Sequence, residues 1–235
     1  MSGYTFEVAE LAWLLAVVNA NGIAGVDDPR FLPSTLAERE ATYNTGLTSL
    51  KARGWLVPAD RVDSFHVDDT LAQLVLSLAE PTYAIRTAID DAGMGPGKST
   101  GNDPKAVLHY IAPSGIAELS AEPDGRYTLG AVLTISALVE RLVDFLSGQA
   151  DQDLGAANRP DASELAKFAE LSGPHGEIIV ARTRRNTLLD AHQAKVHAGA
   201  WLTSQASPGT TVTVTPLSTT ALETWLDEFM QTTSA

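Results

Sequence analysis

The residues most able to do chemistry lie together between Ala92 and Gly101, in the run AGMGPGKSTG. Ala92, Gly97, Lys98 and Ser99 satisfy the relaxed phosphate-loop pattern, in which successive backbone N–H groups cradle phosphates and the lysine reaches the terminal one. That chemistry needs a buried strand before the loop and a helix starting at the lysine, so that the helix N-terminus faces the anion. Here Asp90 and Asp91 precede the loop, and Gly101 and Pro104 follow it, so the flanks oppose both the anion and the helix. Gly97-Lys98-Ser99-Thr100-Gly101 also matches the nucleophile-elbow pattern, which requires a strand running into the serine and a helix leaving it. Gly95-Pro96-Gly97 on one side and Asn102-Asp103-Pro104 on the other deny that context. The segment reads as a long loop between strands.

The remaining chemical residues are scattered. The histidines, His66, His109, His175, His192 and His197, contain no pair at i, i+4 and no HExxH. His192, His197 and Asp190 are a conceivable ligand trio, outweighed by the commoner reading as loop and strand-face side chains. Arg182, Arg184 and Arg185 form the one basic cluster; Arg182 and Arg184 would share a strand face, facing surplus carboxylates or an acidic partner. There is no cysteine, which excludes disulfides, thiolate nucleophiles and Cys-based metal sites. No catalytic, metal or cofactor constellation emerges, and a binding protein is expected in place of an enzyme.

Composition narrows the partners. The 235 residues carry 16 Lys+Arg against 29 Asp+Glu, a formal charge of −13, with 44% hydrophobic and 19% charged residues. The hydrophobic share supplies a sizeable core and excludes a disordered chain. The acidic balance opposes duplex nucleic acid and anionic membrane surfaces, both of which need clustered cations. The segment MSGYTFEVAE lacks a basic n-region, so a signal peptide is not expected there. The longest apolar run, Leu11 to Val18, is far short of the ~20 residues of a membrane span. The expectation is a soluble protein that is not Sec-exported.

These residues must be positioned by a mixed set of elements. Leu11, Leu14, Leu15 and Val18 fall at i, i+3, i+4 and i+7, one helical stripe that Asn21-Gly22 ends. Thr35 and Glu38 form a capping box that opens a second helix, closed by Gly54. Leu71, Leu74, Val75 and Leu78 predict a third, stopped by Pro81. The period then changes to two: Tyr83, Ile85, Thr87 and Ile89 alternate with Ala84, Arg86 and Ala88. Lys105 to Ala112, Ile116 to Ala121 and Arg126 to Val132 read as strands, the last two joined by the turn Glu122-Pro123-Asp124-Gly125. A helix over Ile135 to Leu146 follows, then a polar linker, 148–160.

Beyond the linker the order repeats. A short helix at Leu165 and Phe168 precedes strands over Glu177–Arg184, Val196–Ser204 and Thr210–Thr215, with a turn at Ala206-Ser207-Pro208-Gly209 and a last helix capped by Thr220 and Glu223. Aligning Arg126–Leu146 with Thr210–Met230 sets Leu142 on Leu226 and Phe145 on Phe229. The fold class is α+β, as two quasi-symmetric halves, 1–147 and 161–235, each an antiparallel sheet with flanking helices. Trp13, Trp55, Trp201 and Trp225 fall within apolar patterns. The second helix followed by Gly54-Trp55-Leu56-Val57 also suggests a winged helix of a regulatory or scaffold domain. Its Arg39, Lys51 and Arg53 are set against Glu38 and Glu40, too weak a cationic face for DNA.

The run Ala37-Glu38-Arg39-Glu40, Gly46-Leu47, Leu50, Ala52-Arg53-Gly54-Trp55-Leu56, then Val67-Asp68, Leu71, Leu76, Leu78-Ala79 and Pro81 resembles the N-terminal half of the EspG family. Gly176-Glu177-Ile178, Gly199, Trp201-Leu202, Val212, Val214, Pro216, Leu222 and Leu226 resemble its C-terminal half. The resemblance implies a non-enzymatic cytoplasmic chaperone of type VII (ESX) secretion, built from two quasi-symmetric α+β halves. It implies a helical secreted partner, of PE/PPE or WxG type, held by its apolar tip. By position, the partner-binding loop is Ala92 to Pro104, with Met94, Pro96, Lys98, Ser99, Asn102 and Asp103. The helical contribution falls on Leu138–Leu146 and Leu222–Met230, with Trp225 and Phe229.

Overall fold

The computed structural model describes residues 3–59, 65–89, 105–147, 176–184, 187–197, 201–205 and 212–232. The linker at 148–160, the short helix at Leu165 and Phe168, the turn at 206–209 and the whole 90–104 segment lie outside the described residues. The elements run β1 (Tyr4–Phe6), α1 (Val8–Val17), a 3-10 turn (Pro29–Phe31), α2 (Leu36–Ala52), β2 (Leu56–Pro58), β3 (Phe65–Val67) and α3 (Asp69–Ala79). Then come β4 (Tyr83–Ile89), β5 (Lys105–Ala112), β6 (Gly115–Ala121), β7 (Tyr127–Val132) and α4 (Ile135–Ser147). The chain ends with β8 (Gly176–Arg184), β9 (Thr187–His197), β10 (Trp201–Gln205), β11 (Val212–Pro216) and α5 (Thr219–Thr232). Nine strands are hydrogen-bonded in the order β1-β7-β6-β5-β4-β8-β9-β10-β11, while β2 and β3 form a separate ribbon. The class is α+β with a large antiparallel sheet, as the change of period predicts.

The chain divides into two compact units that interleave along the sequence. The first takes Met1–Ala84, Leu108–Val132 and Arg182–Leu189; the second takes Ile85–Val107, Leu133–Ala181 and Asp190–Ala235.

In the first unit, α1 buries nearly its whole circumference: Leu11, Leu14 and Leu15 join Phe6, Leu50, Leu71, Leu78, Tyr110, Leu119 and Leu129 in one core cluster. Its N-terminus is closed by a capping box between Glu7 and Glu10. The Thr35–Glu38 box at α2 forms as expected, Glu38 N donating to Thr35 Oγ1 at 3.2 Å and Thr35 N to Glu38 Oε2 at 3.1 Å. α2 lies against α1. α3, capped by Asp68, packs on β6 and β7. Gly125 takes φ +83° in the β6–β7 turn, the left-handed conformation that turn requires.

The loop between α1 and α2 is fastened by phenols. Tyr110 Oη donates to Ala24 O at 2.7 Å from a fully buried position, and burial pushes its pKa well up. Tyr127 Oη donates to Asp28 Oδ2 at 2.9 Å. The Arg30 side chain, hydrogen-bonded to the same carboxylate, holds Asp28 below the usual carboxylate range. Burial, and then the Asp28 contact, push Tyr127 up to about 12. Asp28 therefore contributes stability that is present above the ordinary carboxylate pKa and lost as pH falls through its depressed value. Tyr127 contributes stability that is complete below its ordinary pKa of 10.0 and lost as pH rises through about 12. Tyr127→Phe is expected to lower neutral-pH stability by about 1 kcal/mol, the usual net worth of such a hydrogen bond. It should also flatten the alkaline loss, both read from urea unfolding across a pH series.

In the second unit, α4 and α5 pack together over Leu138, Leu142, Leu146, Leu222, Leu226 and Phe229. Gly176 at the start of β8 lets α4 approach: a Cβ there would fall 2.9 Å from Leu146 Cδ2 and 3.3 Å from Ala88 O.

Three local expectations change. The strand expected over Val196–Ser204 is two strands, the end of β9 paired antiparallel with β10, Leu202 opposite Val196 and Trp201 opposite His197. An apolar stretch crossing a hairpin looks like one strand, because both arms place similar side chains on the sheet. Thr220 is not the cap of α5: Ser218 Oγ accepts from Ala221 N at 3.1 Å and Ser218 O from Leu222 N. The helix thus begins at Thr219, and the Thr220 carbonyl already accepts from Thr224 Oγ1. The third is β1, which the sequence did not announce: it has only 3 residues and is held by pairing with β7.

Candidate functional site

Lys98 and Ser99, with Met94, Pro96, Asn102 and Asp103, belong to the connection between β4 and β5 and lie outside the described residues. The strands on either side are in place: β4 ends at Ile89 and β5 begins at Lys105. The next described element after the Lys98-Ser99 motif is a strand, as read from Gly101 and Pro104.

The histidine side chains among the described residues, His66, His109 and His192, do not converge. His66 is exposed on β3, and His192 is half-buried with its ring 4.8 Å from that of Phe229. His109 is buried on β5, with Nε2 3.0 Å from Glu118 Oε2 across to β6. Its Nδ1 is buried with no hydrogen-bond partner among the described residues. The pair forms a cross-strand contact between β5 and β6. No group of three or more His, Cys, Asp or Glu side chains among the described residues is arranged to hold a metal. Arg182 is half-buried and Arg184 exposed on β8.

The cations of α2 are engaged internally. Arg53 Nη1 donates to Glu10 Oε2 and to Thr5 O, and its guanidinium lies 3.5 Å above the Trp55 ring. Lys51 Nζ lies 4.3 Å from the Phe65 ring, and Arg39 Nη2 donates to Pro33 O. The helix and the β2–β3 ribbon have a winged-helix-like order, but these contacts leave little cationic face toward a phosphate backbone. Beside them Tyr4, Trp55, Val57, His66, Asp68 and Leu71 line a groove of about 480 Å³. Asp68 accepts from Tyr4 Oη at 2.9 Å there, and hydrogen bonds from Leu71 N, Tyr4 and Thr70 N keep its carboxyl below the usual range.

The second candidate surface is the α4–α5 pair. Thr134 Oγ1 caps α4 by accepting from Ala137 N, and Ser218 does the same for α5, so both helices start at defined points. Trp225 and Phe229, expected to face a partner, are turned inward: Phe229 is 2% exposed and Trp225 9%. At i and i+4 on α5, both belong to the stripe that also carries Leu222 and Leu226; the Phe229 ring lies against that of His192 on β9, and α5 also contacts α4. The outer flanks show Glu140 and Asp144 of α4 and Thr224, Asp227 and Glu228 of α5. Leu133, just before α4, is 78% exposed, the most exposed large apolar side chain among the described residues. Sequence reasoning passed over Leu133 because it abuts the apolar strand β7 and looks like its continuation. Among the described residues no helix is long and apolar enough to cross a membrane.

No protein-family model matches the chain, and no curated protein matches it. Among solved structures it is similar to the Mycobacterium tuberculosis type VII secretion system chaperone EspG5 in complex with the PE25–PPE41 dimer. The superposition has a TM-score of 0.55 at 13% sequence identity, and covers 95% of this chain and 94% of that one. Identity at that level carries the fold alone, and the match over nearly both full lengths is to the whole α+β arrangement. The chain has an EspG-like fold.

Proposed function

We propose that this chain is an EspG-family chaperone or adaptor, non-enzymatic and cytoplasmic, that keeps a helical type VII secretion substrate of PE/PPE or WxG kind soluble for export. The observation that supports this reading most is the likeness to EspG5 across nearly the full length of both chains. The strand order adds to it. Outward from the adjacent β4 and β8, the order is β5-β6-β7 on one side and β9-β10-β11 on the other, and α4 and α5 follow the last strand of each series. That order favours pseudo-repeat halves, 1–147 and 161–235, in one unit.

The partner surface in this reading combines the connection at 90–104 with the outer flanks of α4 and α5. Met94, between Gly93 and Gly95 in the sequence, supplies a soft apolar side chain suited to an apolar helical tip. Pro96, Lys98, Ser99, Asn102 and Asp103 supply the polar contacts around it. Leu133 adds an exposed apolar contact beside α4, while Trp225 and Phe229 support the surface from beneath.

Deleting Gly93–Gly101 tests the reading. Co-expressed with helical secreted proteins of PE/PPE or WxG kind, the full chain is expected to co-purify with one of them as a soluble complex. The deletion variant should lose that complex while its melting temperature stays within about 2 °C of the parent. Undiminished capture by the deletion variant would overturn the role of the loop. Failure of the full chain to hold any such protein soluble would overturn the chaperone reading.

A further inference from the structure

The two ends of the strand order are treated differently. At one end, β1 is only 3 residues long, and its Thr5 carbonyl accepts from Arg53 Nη1. Those are two of the devices by which proteins keep a sheet edge from pairing with another chain. At the other end, β11 pairs with β10 from Trp201↔Pro216 to Gln205↔Val212, and among the described residues no strand pairs with its outer side. β11 carries no charge, in a chain whose formal charge is −13. Its residues are the β-branched types that favour extended pairing. Pro216 removes one donor at the last position only.

The order of these residues selects a partner. Within β11, Val212 to Val214 reads V-T-V, the same in both directions about Thr213. Antiparallel pairing of two such strands about a two-fold axis at Thr213 sets Thr213 opposite its own counterpart and each of Val212 and Val214 opposite the other. Like side chains meet on both faces, and an isologous interface requires that self-complementarity. The net charge of −13 opposes contact between two copies through acidic surface. The uncharged edge of β11 adds no such repulsion.

We propose that the outer edge of β11 is a self-association surface, through which two copies of this chain extend their sheets into one across a two-fold axis at Thr213. The occupant is a second copy of the chain, and the interface is separate from the surface assigned above to a secreted protein. Because Thr213 is exposed, substitutions there leave the interior of the monomer unchanged.

Sedimentation equilibrium of the full chain over the micromolar range tests this. The native chain is expected to dimerise, while Thr213→Lys and Thr213→Glu each weaken the dimer by about fivefold or more, by setting like charges face to face. An equimolar mixture of the two variants is expected to regain the dimer through opposite charges. The absence of cysteine makes a second readout clean. Thr213→Cys is expected to give a covalent dimer on mild oxidation, because directly opposed residues have Cα atoms about 4.5–5.5 Å apart, within disulfide reach. Thr224→Cys on the exposed flank of α5 should not. A native chain that stays monomeric, or dimers equally strong in both charge variants with no gain on mixing, would overturn the proposal. Unchanged circular dichroism and melting of each variant confirm that the monomer is intact.

Discussion

Gly46→Ala is expected to destabilise the protein by about 2 kcal/mol, although alanine is the better helix former. Gly46 is buried in α2 where that helix crosses α1. A Cβ at this position would overlap Ala9 O, lie 2.6 Å from the Ala9 carbonyl carbon and 3.1 Å from Glu10 Cα. All three atoms are backbone, so no side chain can rotate away and the helices must separate. Forced overpacking of this kind typically costs ~1–3 kcal/mol and occasionally more. The helix-propensity gain of ~1 kcal/mol offsets only part of it. Separation also loosens the seating of Leu11 and Leu14 against Leu50. For a chain of this size the melting temperature should fall by roughly 4–8 °C. Thr48→Ala, on the exposed side of the same helix, should change it by less than about 2 °C. A Gly46→Ala variant as stable as the parent would show that α1 and α2 do not pack this closely.

Arg53→Met is expected to cost about 2–4 kcal/mol, well beyond a surface ion pair. The reason is its partner. Glu10 is 0% exposed, and its carboxylate accepts from Ser49 Oγ at 2.7 Å, Glu7 N at 2.8 Å and Arg53 Nη1 at 2.8 Å. Removing the guanidinium leaves that buried charge without its counter-ion and also releases the Trp55 ring that Arg53 covers. The double variant Glu10→Leu/Arg53→Met should be more stable than Arg53→Met alone, because it removes the uncompensated charge together with its partner. Urea unfolding of the four proteins in this cycle measures the coupling. A coupling near zero would mean that the ion pair contributes nothing beyond its separate parts.

Much of the architecture was legible because its determinants are close in sequence. The Thr35–Glu38 box, the Pro81 stop of α3 and the Glu122–Gly125 turn each depend on contacts a few residues apart. Alternation from Tyr83 to Ile89 and the apolar stripe of α4 are likewise local patterns with one meaning each. The start of β9 was not legible: Thr187 to Ala191 are exposed on both sides of the strand, so they carry no inside-and-outside alternation. At the candidate surface the residue types were visible and their direction was not. Trp225 and Phe229 look alike whether α5 presents them to a partner or turns them inward.

The sequence by itself determined the α+β class, most helix and strand positions, the absence of thiol chemistry and the resemblance to the EspG family. Each of these follows from composition or from interactions reaching about one turn of helix or one strand pair along the chain. Tertiary structure alone decided that Glu10 is buried and held by Ser49 and Arg53 from another helix. It alone decided that Gly46 is a contact point, that α5 turns its aromatics inward, and that β11 lies at one end of the strand order of the described residues. Those outcomes depend on groups dozens of residues apart, whose meeting is set by how whole elements pack, and a local pattern carries no record of which element will cover it.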